Sequence, residues 1–424
     1  MLLAAAVKSK LTPTTPDTTT RAWPTERETP PGADRISDLP DELIQAILAC
    51  LPSTAAAART SVLSRRWRRV WNCVPALSFC VEQQRPLGAH SSTADAVDAA
   101  LDAFSASATL DRLSIDVVAG PSPASRVAPW LRFASLRLAG ELRLSLAGGA
   151  RKQIIAMMGP FFMAQMIPIG KGTKQLELSA CERTTRIDLE RINFTLCLPT
   201  SGAFAALRIL RINVAKQVLG DIGHLVSTQC PRLRELEMCD VTTVAANLSI
   251  TSVSLENLVL RRVNFGKKGQ IDVAAPRLYY LALDSCGDRS AAATITTAML
   301  AELIWNHAYD PSRHSLVGAD RQIYRLVTTY GSNAALLGRF DAVDELCLPL
   351  SMPSKAKGYK KFLQDMDKIP KTKVLEVKGL STKRHLEPTM LHLLRKHSRL
   401  TKIKIDLFPA NSVRPDQFSQ DFVS

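Results

Sequence analysis

Residues 207–283 read LRILRINVAKQVLGDIGHLVSTQCPRLRELEMCDVTTVAANLSITSVSLENLVLRRVNFGKKGQIDVAAPRLYYLAL, and one phrase returns through them: apolar-x-x-apolar-x-apolar. It falls at Leu207/Leu210/Ile212, Leu233/Leu236/Met238, Leu255/Leu258/Leu260 and Leu278/Leu281/Leu283, with starts 26, 22 and 23 residues apart. The alternation that closes each phrase is that of a short strand with one face inward. A unit this small cannot bury its apolar face alone, so the units must stack side by side. Outward from this block the phrase recurs at Leu110/Leu113/Ile115, Phe133/Leu136/Leu138, Val343/Leu346/Leu348 and Leu400/Ile403/Ile405, with a degenerate copy at Leu375/Val377. The pattern predicts a curved parallel sheet, each repeat returning along the convex side as a helix or an irregular turn.

The period lies within the roughly 20–29 residues of leucine-rich repeats. In such a solenoid the x positions of each strand face the concave surface, here Arg208, Arg211, Arg234, Glu235, Glu237, Glu256, Tyr279, Tyr280, Lys402 and Lys404. Tyr279 and Tyr280 are adjacent, so strand alternation places one ring in the core and the other on the surface, where tyrosine suits a protein contact. The solenoid is expected over 110–408, with poor repeat registration near 147–174 and 284–342, although Ile323/Leu326 read as one more degenerate strand.

Ahead of the repeats the character changes. Residues 1–34 are rich in Thr and Pro and poor in large apolar groups, a composition expected to stay disordered. From Arg35 the chain reads RISDLPDELIQAILACLPSTAAAARTSVLSRRWRRVWNCVPALSF, from which three short helices follow. Pro40 suits a first helical turn, and Leu43, Ile47 and Leu51 recur at helical spacing until Pro52. Ser53 or Thr54 can cap the second helix. Ser64 can cap the third, on which Trp67 and Trp71 share a face. Residues 81–109 read as a linker or first cap, and 409–424 as a tail.

The formal charge of +15 is concentrated late in the chain, with fifteen Lys/Arg against four Asp/Glu between Lys355 and Lys404. A solvated repeat surface accounts for such a run and no aromatic ladder accompanies it, so nucleic acid is not the expected partner, and a basic repeat scaffold that associates with nucleic acid or acidic partners, without a ubiquitin-ligase role, is the alternative reading. The nine cysteines form no CxxC pair and read as reduced, buried small hydrophobes, which points to cytoplasm or nucleus. No membrane span is expected: MLLAAAV is too short, and Ile154–Ile169 is interrupted by Pro160, Gln165 and Pro168.

No convergent catalytic set emerges. Gly170-Lys171-Gly172-Thr173 lacks the order of a phosphate loop, and His385, His392 and His397 have no carboxylate or cysteine completing a metal set. Neither a GxSxG elbow nor an HExxH helix occurs. The expectation is a protein without metal or cofactor that works by binding.

Residues 35–80 resemble the F-box, through ISDLPDELIQAIL, the LP pair closing the first helix, RTSVLSRRWRRVW and the closing VPALSF. With LCLP, FAALRILRI, CPRLRELEM, APRLYYLAL and AYDPSRHSLVG the likeness extends to the grass F-box/leucine-rich-repeat proteins that often carry a C-terminal FBD region. The closing FPANSVRPDQFSQDFVS lacks the Cys- and Trp-bearing ending of that region, which is expected to be truncated or missing. The resemblance implies a small all-α F-box module followed by an α/β leucine-rich-repeat solenoid. It also implies a non-catalytic ubiquitin-ligase subunit: the F-box docks on a Skp-family adaptor, through it on cullin and RING subunits, and the repeats hold a protein substrate. By position Leu39, Pro40, Leu43, Ile47, Leu51, Val62, Leu63, Trp67 and Trp71 divide between the adaptor contact and the module's own core. Arg208, Arg211, Arg234, Tyr279, Tyr280, Lys402 and Lys404 are the candidate substrate contacts, suited to an acidic partner.

Overall fold

The computed structural model describes residues 38–51, 53–80, 93–104, 108–119, 124–148, 175–192, 194–214, 217–265, 269–287, 291–328, 333–350, 359–360, 363–364, 367, 369–380, 386–396 and 399–408. The segment 1–34, most of 147–174, the Gly170–Thr173 motif, His385, His397 and the tail 409–424 therefore lie outside the described residues, and the expectations attached to them rest on sequence alone.

Three helices open the chain: α1 Asp41–Ala49, α2 Thr54–Arg59 and α3 Arg65–Val70. The caps sit where side chains can reach orphan N–H groups. Ser53 Oγ accepts from Ala56 N–H at 3.2 Å, and Ser64 Oγ accepts from Trp67 N–H at 3.3 Å. Arg66 straps α3 to the start of α1, donating to Asp41 Oδ1 at 2.7 Å and to the Leu39 carbonyl.

The strands that follow form one thirteen-stranded sheet in which every strand lies beside its predecessor and parallel to it. They are β1 Ala76–Phe79, β2 Leu110–Ala119, β3 Leu138–Gly148, β4 Arg186–Ile192, β5 Ile209–Val214, β6 Glu235–Cys239 and β7 Asn257–Arg261. Then come β8 Tyr280–Asp284, β9 Glu302–Trp305, β10 Gln322–Thr328, β11 Ala342–Leu350, β12 Lys371–Leu380 and β13 Lys402–Phe408. Sequential parallel neighbours are the topology that a stacked repeat produces. The Leu of each phrase fills one continuous core: Leu210, Leu236, Leu258, Leu281, Leu303, Leu326 and Leu346 are all fully buried.

The convex side is more regular than the sequence suggests. Besides helices it carries two four-stranded parallel sheets, one of Gln175–Glu177, Thr195–Cys197, Gln217–Leu219 and Thr242–Thr243, the other of Asn247–Thr251, Gln270–Ala274, Ala292–Thr296 and His314–Val317. Leaving the concave strands, the chain turns on Asp240, Arg262 or Ser285 in the left-handed region, each two residues past the last inward side chain of its strand, and Arg191 takes the same conformation within β4 at a register shift. Asp240 and Arg262, in successive repeats, hold each other with two contacts of 2.5 and 2.8 Å.

Two expectations about the repeats need correction, and one strand has no counterpart in the sequence reading. Phe133/Leu136/Leu138 is not a strand phrase: residues Ala124–Arg137 form helix α5, which follows α4 Thr93–Ala103. A three-residue apolar step serves a helix as well as a strand, and the buried set Val127, Trp130, Leu131 and Ala134 settles the choice. Trp130 Nε1 donates to Asp98 of α4 at 2.6 Å, so 81–109 contributes a packed helix. The segment 284–342 keeps the period, since Leu300/Leu303/Trp305 supplies β9 with tryptophan in a leucine's place, and Ile323/Leu326 lies in β10. Between β3 and β5 lies β4, whose phrase begins on a buried threonine, Thr184, donating to the Leu138 carbonyl at 3.3 Å.

Trp305 anchors an internal aromatic cluster. The His307 and His314 rings stand 4.6 and 5.2 Å from it and 5.4 Å from each other. His314 accepts from Asp310 N–H at Nδ1 (2.8 Å) and reaches the Ala291 carbonyl with Nε2 (3.1 Å), a neutral tautomer with both nitrogens in use. Burial, helped by His314, lowers the His307 pKa to about 4.

Candidate functional site: an exposed apolar face on the helical module and a self-neutralised concave sheet

The helical module has its own core of Ile44, Leu48, Ala57, Trp67, Val70 and Val74, with Leu39, Leu51 and Trp71 packed half-buried around it. Helix α1 therefore carries two apolar stripes. Ile44 and Leu48 face inward, while Leu43 (51% exposed) and Ile47 (47%) face water one turn apart. Sequence reading by the Leu43/Ile47/Leu51 step picked the outward stripe and missed the inward one. The signal was present in the second i, i+4 pair, 44/48. Val62 and Leu63, in the turn after α2, are 83% and 66% exposed, and Pro40 is exposed at the cap. Of the nine module residues named from sequence, Leu43, Ile47, Val62, Leu63 and Pro40 thus face solvent, Trp67 is core, and Leu39, Leu51 and Trp71 sit at the boundary.

An apolar face that its own fold does not need is the physical signature of a partner surface. It belongs to a module packed and hydrogen-bonded against the sheet. Trp71 packs against both the module's core and the solenoid's, Ser78 N–H in β1 donates to Thr54 Oγ1 at 2.7 Å, and Pro75 O accepts from Asp111 N–H at 2.7 Å. A groove of about 500 Å³ lies at this joint, between Leu48, Leu51 and Thr54 on one side and Arg112, Glu141 and Arg143 on the other.

The concave face of the sheet shows where the other candidate residues stand. Arg211 is gripped by Glu235 (2.6 Å) and Glu237 (3.3 Å), and Arg234 stands 3.9 Å from Glu256. Arg143 and Arg186 both hold Asp188, at 3.3 and 2.8 Å. Strand alternation and cross-strand register set opposite charges side by side, so Arg143, Arg186, Arg211 and Arg234 face carboxylates instead of forming a free cationic patch. Arg208, just ahead of β5, is exposed. Neither tyrosine enters the leucine core: Tyr279 precedes β8 and is exposed, and Tyr280 lies half-buried against a concave ladder of Val259, Ala282, Ile304, Val327 and Cys347. Lys402 and Lys404 are exposed on β13.

All nine cysteines are unpaired, five of them buried, and burial pushes the Cys230, Cys239, Cys286 and Cys347 thiols up to about 12. Among the described residues no three His, Cys, Asp or Glu side chains converge to hold a metal, and no helix is long and apolar enough to cross a membrane. His392 instead pairs with Asp367 at 3.0 Å.

Comparison with known proteins fits this division. The F-box domain family matches residues 36–76, which contain all three module helices and the entry into β1. F-box/LRR-repeat protein 25 of Arabidopsis thaliana is 55% identical over 47 residues, 11% of this chain and 18% of the relative. A second F-box/LRR-repeat protein of Arabidopsis thaliana is 27% identical over 258 residues, 59% of this chain and 75% of the relative. An FBD-associated F-box protein of the same plant is 57% identical over 49 residues, 12% of this chain and 10% of the relative. The short, high-identity matches thus cover less than a fifth of those relatives' length, while the long match carries the likeness into the repeats. Residues 36–76 thus match the F-box domain, and the chain as a whole is similar to plant F-box/LRR-repeat proteins, its helical module joined to a repeat solenoid of parallel strands.

Proposed function

We propose that the chain is the substrate-recognition subunit of an SCF-type (Skp–cullin–F-box) ubiquitin ligase, working in cytoplasm or nucleus. The observation that carries this reading is the outward stripe Leu43/Ile47 with Val62 and Leu63, apolar and exposed on a module whose core is complete without them. F-box domains in general bind Skp-family adaptors, and this stripe is the surface such an adaptor would cover, with cullin and RING subunits following through it. The solenoid then holds a protein substrate. Ubiquitin transfer needs no catalytic side chain from this chain, because a substrate lysine held near a charged conjugating enzyme reacts as if intramolecularly. The packed joint at Trp71 and β1 suits this mechanism, since a module held against the solenoid gives a higher effective concentration than one on a loose linker.

The test is co-purification of the full-length chain with adaptor and cullin at moderate salt. Contact through an apolar helix face should persist as salt rises. Absence of both partners from a folded preparation would refute the reading.

A further inference from the structure

We infer that a notch at the rim where the concave strands begin, walled by Tyr279 and Tyr324 and floored by Ala301, seats a lysine or arginine side chain of a partner protein, with Glu302 as its counter-ion. This deepens the proposed function by naming what the solenoid recognises, and it rests on that reading only for calling the partner a substrate.

The first observation is a break in a paired row. Main-chain bonds and strand register run one cross-strand row through Arg234, Glu256, Tyr279, Ala301, Tyr324, Asp344 and Lys373. Towards one end Arg234 stands 3.9 Å from Glu256, and towards the other Lys373 meets Asp344 at 2.9 Å. Between these pairs the row carries no charge. It offers two tyrosines, 45% and 46% exposed, on either side of a small residue.

The second is the spacing. Neighbouring strands lie about 4.8 Å apart, so Tyr279 and Tyr324, with the strand of Ala301 between them, leave the main chain about 10 Å apart. A cation midway lies about 5 Å from each wall, inside the roughly 6 Å over which the face of an aromatic ring attracts a positive charge. The single methyl of Ala301 leaves that space to a ligand. Tyr324 Oη donates to Glu345 Oε1 at 2.9 Å, which fixes that wall on its β11 side. Among the described residues no cation of the chain lies over either ring.

The third is charge, and it selects the occupant. Glu302, half-buried at the start of β9, follows Ala301 directly, and among the described residues no Lys, Arg or His nitrogen lies within 4.0 Å of its carboxylate. Even Arg325, its register partner on β10, stays farther away. The Tyr324 pKa is raised first by the bond to Glu345 and also by Glu302, with Arg325 opposing, so the field of both carboxylates reaches that wall. An acidic side chain would be repelled here, and a neutral one would leave Glu302 without a counter-ion. Met299, 59% exposed and two residues ahead of Ala301, adds apolar surface for the aliphatic stem of a basic side chain. The net charge of +15 gives the chain no general attraction for basic partners, so a basic side chain held here is held by the notch itself.

The experiment uses the full chain with isotope-labelled tyrosine rings, read by NMR. The chain has six tyrosines, and Tyr279→Phe and Tyr324→Phe assign the two signals of the notch. The probes are acetyl-Gly-Val-Lys-Val-Gly-amide and the same peptide with norleucine in place of lysine, which keeps the stem and removes the charge. Both ring signals should move together on titration of the lysine peptide, and the norleucine peptide should bind about tenfold more weakly. Glu302→Gln should weaken the lysine peptide about fivefold. Tyr279→Leu, read on the Tyr324 ring, should weaken it about threefold at an unchanged melting temperature; should that variant melt early, Tyr324→Leu, read on the Tyr279 ring, supplies the comparison. Equal binding of the lysine and norleucine peptides, or binding untouched by Glu302→Gln, would reduce the notch to an apolar patch and overturn the proposal. No movement of either ring signal at tens of millimolar peptide, in a chain that still binds adaptor, would overturn the notch and leave the F-box reading standing, whereas peptide binding by a folded chain that binds no adaptor would do the reverse.

Discussion

Replacing Ile47 by Asp separates the two stripes of α1. In the free chain Ile47 is 47% exposed, so the substitution gives up the buried half of the side chain and some helix propensity, about 1–2 kcal/mol of stability. In the complex the remaining half of the side chain is lost as apolar contact, about 1 kcal/mol, and an unpaired carboxylate must enter an apolar contact at a cost of at least about 2 kcal/mol more. Together these exceed about 3 kcal/mol, a loss of more than 100-fold in adaptor affinity. Ile44, three residues away and fully buried, should behave in the opposite manner. Ile44→Ala removes about 2–5 kcal/mol from a module whose whole stability is of that order, so the module loosens and binding falls with it. Isothermal titration against purified adaptor, with circular dichroism melts of both variants, reads the two effects apart. Ile47→Asp binding within threefold of wild type, with the fold intact, would refute the assignment of the outward stripe.

Trp67→Ala should cost about 3–5 kcal/mol and shift the melting of the helical module, because Trp67 sits in its core, with adaptor binding lost in parallel; an unchanged melt would place Trp67 outside that core. The His307 pKa of about 4 lies below its unfolded value near 6.5, so unfolding takes up a proton between those limits. Stability is complete above about pH 6.5 and falls as pH drops toward 4, by about 3 kcal/mol from this residue. Urea unfolding at pH 7.5 and 5.0 should show the loss, and His307→Phe should flatten it. Ser285 stands at φ +54, so Ser285→Gly should hold or raise the melting temperature while Ser285→Val lowers stability by about 1–2 kcal/mol.

The repeat was legible because burial enforces it: each Leu-x-x-Leu-x-Leu phrase places its second and third side chains in the same core rows. Where the chemistry of a row changed, the reading failed. Thr184 meets the burial requirement with a hydrogen bond in place of an apolar side chain, and Trp305 fills a leucine position with a larger ring. In α5 the spacing itself was ambiguous, since i and i+3 neighbour each other on a helix. The module's helices and serine caps were readable from local rules, but which of its apolar residues face out was not. That depends on where α3 and Val74 close over Ile44 and Leu48. The concave arginines show the same limit from the electrostatic side. Arg211 looks like a free cation in sequence and is held by Glu235 and Glu237, because register, which no single strand contains, sets them side by side.

The central claim is that the stripe Leu43/Ile47 with Val62 and Leu63 docks a Skp-family adaptor, and a titration of the purified full-length chain with purified adaptor at 0.1 and 0.5 M NaCl tests it most directly. The account predicts a one-to-one complex whose dissociation constant changes by less than about threefold between the two salt concentrations, as expected for apolar contact. A chain shown by circular dichroism to be folded, yet giving no binding at tens of micromolar adaptor, would contradict it.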